Sequence, residues 1–184
     1  MTIKSKIMQT LPLPQHEAFP SAPLPFRALR PQASKAVAAK RILIADDDSS
    51  VRSGLAAVLE MEGFVVDEAH NGIEAVTRAI EHSPDLVLLD LNMPHWDGWT
   101  AFSELDRVTP LLPIIVITAR PNQYEKAVLL GVDAFMEKPL DFPTLLKAIE
   151  ALIEEEPARH IRRVTNRWFV TRLLTVHSQA SHLL

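Results

Sequence analysis

Residues 86–98 read LVLLDLNMPHWDG, and their first five residues decide the fold. Leu86-Val87-Leu88-Leu89 shows no alternation of polar and apolar side chains. A strand that is apolar on both sides is covered on both sides, and such strands belong to parallel sheets with helices on either face. The apolar run stops at a carboxylate, Asp90. Two other stretches are built the same way: Ile42-Leu43-Ile44-Ala45 runs into Asp46-Asp47-Asp48, and Ile114-Ile115-Val116-Ile117 runs into Thr118.

Helical patterns fill the gaps. Val51, Leu55, Val58 and Leu59 recur at helical spacing, so a helix is expected from about Ser50, ended by Gly63. Phe64-Val65-Val66 reads as a second strand. Ile73, Val76 and Ile80 mark a helix that closes before Pro84, and Gly98 to about Arg107 reads as a short one. Tyr124, Ala127, Val128 and Leu130 mark another, ended by Gly131. Ala134-Phe135-Met136 is a brief fifth strand. The last helix runs from Phe142 to about Glu154, with Leu145, Leu146, Ile149, Leu152 and Ile153 inward.

Five strand–helix units in strict alternation imply an α/β domain whose parallel sheet carries helices on both faces. Right-handed crossovers leave few topologies. The expected strand order, 2-1-3-4-5, comes from likeness to the flavodoxin-like doubly wound fold. In such sheets the ligand crevice lies beyond the carboxyl ends of the strands.

The composition narrows the chemistry. The 184 residues include no cysteine, which excludes disulfides, thiol catalysis and thiolate metal sites. No apolar run approaches the length of a membrane span, and no secretory signal is expected, so a cytoplasmic location is the default. The net charge of −4 is unevenly spread. Of 19 basic and 23 acidic residues, six basics and one acid lie in 1–40, and five arginines and no acid in 157–184; 41–156 keeps eight basics against 22 acids. Such a core repels nucleic acid and attracts cations, so nucleic acid is not an expected partner of the domain.

The polar residues fall where the crevice should be. Asp46, Asp47 and Asp48 follow the first strand, Asp90 ends the third, Thr118 ends the fourth and Lys138 follows the fifth. Converging carboxylates repel one another unless a cation sits among them. Oxygen ligands alone imply a hard cation, and Mg²⁺ fits best, because it takes one or two carboxylates and accepts phosphate oxygens. A lysine and a hydroxyl facing that cluster suit a phosphoryl group. Each residue also has a plainer reading. Asp46 and Asp47 taken alone would serve as a helix N-cap, as Asp48 or Ser49 does in any case. Thr118 alone would be a strand-end hydrogen-bonder, and Phe135 alone would be core. His95 and Trp96 are assigned no role.

Taken together, Leu43-Ile44-Ala45-Asp46-Asp47-Asp48, Leu89-Asp90-Leu91-Asn92-Met93-Pro94 with Asp97-Gly98, Ile117-Thr118-Ala119 and Lys138-Pro139 resemble the four motifs of response-regulator receiver domains of two-component signalling, the CheY-like superfamily. The likeness covers about 115 residues, with the motifs in order and at the family's spacing. It implies that Asp90 takes a phosphoryl group from a histidine kinase or phosphotransfer protein, as a carboxylate nucleophile. It implies Mg²⁺ on Asp47, Asp90 and the Asn92 backbone carbonyl, with Asp46 acting through water. Lys138 would pair with the phosphoryl group and Thr118 would hydrogen-bond it. Phe135 fills the place of the switch aromatic, where many members have tyrosine. The Lys138-Pro139 bond is expected to be cis, aiming the lysine at the site. The resemblance also sets Asn92 and Arg120 at positions like those that tune phosphate lifetime in the family. The output surface would be the fourth helix, fifth strand and fifth helix, about residues 121–154, open to a downstream protein or to a second copy.

The expected organisation is a disordered, Pro-rich basic leader at 1–39, a receiver domain at 40–156 and a basic extension at 157–184. The leader's six prolines also fit an extended ligand for an adaptor domain. In the extension, Arg159, Arg162, Arg163, Arg167 and Arg172 interleave with Ile161, Val164, Trp168, Phe169, Leu173 and Leu174. This reads as either a basic amphipathic helix or a poorly ordered tail. Two further functions compete with a receiver switch. One is a nucleic-acid-binding transcriptional regulator acting through that tail or a partner. The other is an aspartate-nucleophile phosphohydrolase, which would need an acid where Asn92 stands. No enzymatic output is expected.

Overall fold

The computed structural model describes residues 39–94, 96–156, 158, 161, 165 and 171–175. The leader up to residue 38, His95, and Arg159, Arg162, Arg163, Val164, Arg167, Trp168 and Phe169 of the extension lie outside the described residues. The elements run β1 (Arg41–Ala45), α1 (Ser49–Met61), β2 (Val65–Ala69), α2 (Gly72–His82), β3 (Leu86–Asp90), α3 (Gly98–Val108), β4 (Ile114–Thr118), α4 (Tyr124–Leu130), β5 (Ala134–Glu137), α5 (Phe142–Ile153) and β6 (Arg172–Leu174).

All strands pair in parallel, in the order β2-β1-β3-β4-β5-β6. The five expected strands stand in the expected order. A sixth, drawn from the segment beyond residue 156, is added beside β5. Successive strand side chains feed two cores. Leu43, Val87, Leu89, Val116 and Phe135 face Ala75, Ala79, Phe102, Leu105 and Ala127 of α2, α3 and α4. Ile42, Ile44, Leu88, Ile115 and Met136 face Leu55, Leu59, Leu145 and Ile149 of α1 and α5. This is why the central strands read as unbroken apolar runs.

Two expectations need correction. The second strand spans 65–69 rather than 64–66, so it includes Asp67 and Glu68. At this sheet edge Arg41 pairs with Asp67 at 3.0 Å and Arg52 with Glu68 at 3.1 Å, so ion pairs stand in for apolar cover. Helix α2 forms as expected, but Ile73 and Ile80, taken as its markers, point outward and are half exposed or more. The buried face is Gly72, Ala75 and Ala79. A Cβ on Gly72 would lie 2.8 Å from the Ala101 Cβ of α3, so the α2–α3 approach admits only small side chains.

Candidate functional site

The site is assembled from strand ends. β1 and β3 are neighbours, so Asp46, the residue just after β1, and Asp90, the last residue of β3, come to one point. Both carboxylates are buried, each with 3% of its surface exposed, whereas Asp47 is exposed. One oxygen from each of Asp46, Asp47 and Asp90 falls within 4.8 Å of the others. Asp48 serves as the N-cap of α1, accepting from the backbone N–H of Ser50 and Val51, and these bonds hold its carboxyl below the usual range.

Asp46 is engaged at both oxygens. Its Oδ1 accepts the Asp48 N–H at 2.9 Å and its Oδ2 accepts from Lys138 Nζ at 2.8 Å. Asp90 is not. Its Oδ1 is buried and has no hydrogen-bond partner among the described residues, and Lys138 Nζ stands 3.7 Å away. Burial pushes the Asp90 carboxyl above its ordinary value, and the Asp46 charge pushes the same way. The Lys138 charge and the N–H groups of Asn92 and Leu91 act against both. Burial works against the Lys138 ammonium, but its hydrogen bond to Asp46 and the nearby charges of Asp90 and Asp46 outweigh it and raise its pKa. The Lys138-Pro139 peptide bond is cis.

Thr118 is fully buried at the end of β4. Its Oγ1 accepts the Arg120 N–H at 3.0 Å, and its carbonyl accepts the Lys138 N–H at 2.8 Å. Arg120 Nε in turn donates to Asn92 Oδ1 at 3.1 Å, linking the β3 and β4 loops. Behind Thr118, Phe135 is fully buried, with the Tyr124 ring 5.9 Å from it.

The structure therefore brings Asp46, Asp47, Asp90, Asn92, Thr118 and Lys138 to one end of the sheet, while Phe135 lies in the core opposite Val116 of β4. It also shows roles that sequence reading missed. Asp97 caps α3 through the Thr100 N–H at 2.9 Å. Gly98 donates its N–H to the Leu91 carbonyl at 3.1 Å. A Cβ on Gly98 would lie 2.5 Å from the Asp90 carbonyl oxygen, so only glycine lets α3 begin against the strand end. An Asp-Gly pair just before a helical pattern was the available signal. Tyr124, read only as a helix marker, carries a contact taken up below.

The family model for the response regulator receiver domain matches residues 42–150. The chain belongs to that family. This receiver is 38% identical over 117 residues to the chemotaxis protein CheY of Halobacterium salinarum, covering 62% of this chain and 98% of that protein. It is 37% identical over 115 residues to the response regulator MprA of Mycobacterium ulcerans, covering 61% of this chain but 50% of MprA, so it spans half that relative's length. Among solved structures, response regulator TrrA of Thermotoga maritima, in complex with Mg²⁺-BeF, superposes with a TM-score of 0.58 at 31% identity, over 61% of this chain and 98% of that one. The receiver is thus a phosphorylation-based signalling domain of two-component systems. Among the described residues, no helix is long and apolar enough to cross a membrane.

Proposed function

We propose that Asp90 is the phosphoryl acceptor of this receiver and that the donor is a phosphohistidine of a histidine kinase or phosphotransfer protein. The carrying observation is Asp90 Oδ1, a buried carboxylate oxygen with no hydrogen-bond partner among the described residues, at the meeting point of three acids and a lysine. Leaving such an atom unpaired is costly, and a site that keeps one has a use for it. An Asp90 oxygen attacks phosphorus, the P–N bond breaks, and its electron pair stays on the donor imidazole.

The donor set of Asp46, Asp47, Asp90 and the Asn92 carbonyl is all oxygen and suits Mg²⁺. Bound there, the ion would offset the charge that gathers on the phosphoryl oxygens. Asp46 has both oxygens engaged, which fits a role through water. Asp47, exposed and with one oxygen within 4.8 Å of those of Asp46 and Asp90, fits a direct ligand. Lys138 is placed to pair with the transferred group and Thr118 to hydrogen-bond it. Asn92 and Arg120, joined across the site mouth, govern the access of water and so the phosphate's lifetime. Thr118 and Phe135 carry the change toward the surface of α4, β5 and α5, where a downstream protein or a second copy engages. Asn92, standing where a phosphohydrolase would need an acid, favours a switch over an enzyme. The cytoplasm, where kinases act, is the proposed location.

Incubation with acetyl phosphate and Mg²⁺ tests this reading. One acid-stable, base-labile phosphate is expected at Asp90 by mass spectrometry, absent in Asp90→Asn and after chelation. Equal labelling of Asp90→Asn would remove the assignment.

A further inference from the structure

In a five-stranded receiver sheet β5 is an edge, and an edge strand presents a row of unpaired N–H and C=O groups. Here the row is taken. Arg172–Leu174 pairs with it in the register Ala134–Arg172, Phe135–Leu173 and Met136–Leu174. The Arg172 N–H donates to the Asp133 carbonyl at 3.2 Å. The start of this strand is also tied to α4. The Tyr124 hydroxyl donates to the Thr171 carbonyl at 3.0 Å, and Thr171 Oγ1 donates to the Ala127 carbonyl at 3.3 Å. Thr171 is 1% exposed, so the polar atoms of this junction are paired inside the protein rather than by water.

The segment touches the switch elements. Tyr124, which holds Thr171, is the ring that lies against Phe135. Leu173, Leu174 and Thr175 form one wall of a cleft of about 330 Å³ whose other walls are Tyr124, Glu137, Lys138 and Pro139. Leu174 packs against the core under α1 and α5. Arg172 shares a second cleft with Glu154, Glu155 and Glu156, so its charge sits among acids at the end of α5. The connection suits docking within one chain. A parallel neighbour needs a crossover of a dozen residues or more, usually through a helix, and α5 lies between β5 and β6.

We propose that the β5 edge is a strand-docking surface whose occupant is this chain's own segment 171–174, bound in cis with Tyr124 as its latch. A partner or second copy that engages β5 must first displace that segment. The contact itself does not depend on the phosphoryl chemistry proposed above, so it is tested without a phosphodonor.

The test is hydrogen exchange on the full chain. Arg172→Pro deletes the N–H that bonds Asp133 and opposes the strand. Arg172→Ala loses only the side chain, and Tyr124→Phe loses only the latch. In the native chain and in Arg172→Ala, the amide of Leu174, which the parallel register turns toward β5 as it does that of Arg172, should exchange at least about tenfold more slowly than in a free peptide of the same sequence. That protection should vanish in Arg172→Pro and weaken in Tyr124→Phe, while the amides of β1 and β3 keep theirs, showing that the fold persists. Peptide-like exchange at Leu174 in the native chain overturns the proposal, as does undiminished protection there in Arg172→Pro. Protection that rises with protein concentration would assign the strand to a second copy and overturn docking in cis.

Discussion

Lys138 is hydrogen-bonded to Asp46, at 2.8 Å, and not to Asp90, from which it stands 3.7 Å away. The ammonium beside Asp90, the proposed acceptor, is thus held by a different acid. Asp90 keeps a free oxygen, and Lys138 keeps a short path to it. A phosphoryl group on Asp90 would draw the ammonium across that gap at the cost of the Asp46 bond.

Replacing Lys138 by methionine separates these roles. Asp46 and Asp90 are both buried and would lose their counter-charge, so the metal-free protein should be destabilised by about 1.5–3 kcal/mol, the range of a hydrogen bond to a charged group. Mg²⁺ should bind more tightly, because a repelling cation is gone, and should recover part of the stability. Urea denaturation with and without Mg²⁺ checks both. Unchanged metal affinity would show that Lys138 does not face the ion.

Asp47→Ala should behave differently. Asp47 is exposed, so its removal relieves repulsion among the acids without opening a cavity. Stability should hold or rise slightly while Mg²⁺ affinity falls. Tryptophan fluorescence titration reads the affinity, and an unchanged value would rule out Asp47 as a ligand.

The raised pKa of Asp90 fixes a pH dependence. Burial is the main cause, and the ordinary value is 3.8. Between that value and the higher folded one, the folded chain holds more protons than the unfolded chain. Above the folded value the ionised carboxylate costs stability; below 3.8 both states are protonated and the cost is gone. Asp90→Asn should therefore be more stable than the native chain at pH 7 in chelator. Its advantage should shrink as the pH falls through the folded pKa. Denaturation midpoints from pH 7 down to the ordinary value of 3.8 read this, and an advantage constant across that range would contradict it.

Much of this was legible because strands buried on both faces forbid polar residues. Asp46, Asp90 and Thr118 stood out by ending runs that tolerate none. What stayed hidden depends on neighbours. Ile73 and Ile80 looked like the core stripe of α2, yet the close approach of α3 reserved that face for Gly72, Ala75 and Ala79. Asp67 and Glu68 seemed to end a strand because their partners Arg41 and Arg52 are distant in sequence. β6 is three residues long, and its pairing depends on a β5 edge that no local pattern reveals.

Two glycines make a paired prediction. At Gly98 a Cβ would lie 2.3 Å from the Leu91 Cα, and backbone cannot rotate away as a side chain can. Gly98→Ala should cost about 1–3 kcal/mol. It should also slow phosphorylation, because the loop carrying Asn92 must shift. At Gly54, inside α1, a Cβ meets nothing within 4 Å. Gly54→Ala should instead stabilise by about 0.5–1 kcal/mol, the helix preference for alanine. Thermal melts and acetyl phosphate labelling of both variants decide the matter; equal effects at the two sites would show that the Gly98 contact yields.

Thr118 tests the route from the site to the surface. A phosphoryl group can bias the domain only through contacts that differ between two states. Thr118 is buried at the strand end, and its hydroxyl now accepts the Arg120 N–H, so a move toward a phosphoryl oxygen would release that N–H and the start of the β4–α4 loop. The loop leads to Tyr124, which lies on Phe135 and holds Thr171. Thr118→Ala keeps Asp90 and the acidic cluster, so it should still take phosphate from acetyl phosphate. It lacks the hydroxyl that changes partner, so activation with Mg²⁺ and beryllium fluoride should no longer alter hydrogen exchange along 121–140. The native chain should show that change clearly. If the variant shows it equally, the coupling runs through Lys138 and the β5–α5 loop instead, and Thr118 only binds the phosphate.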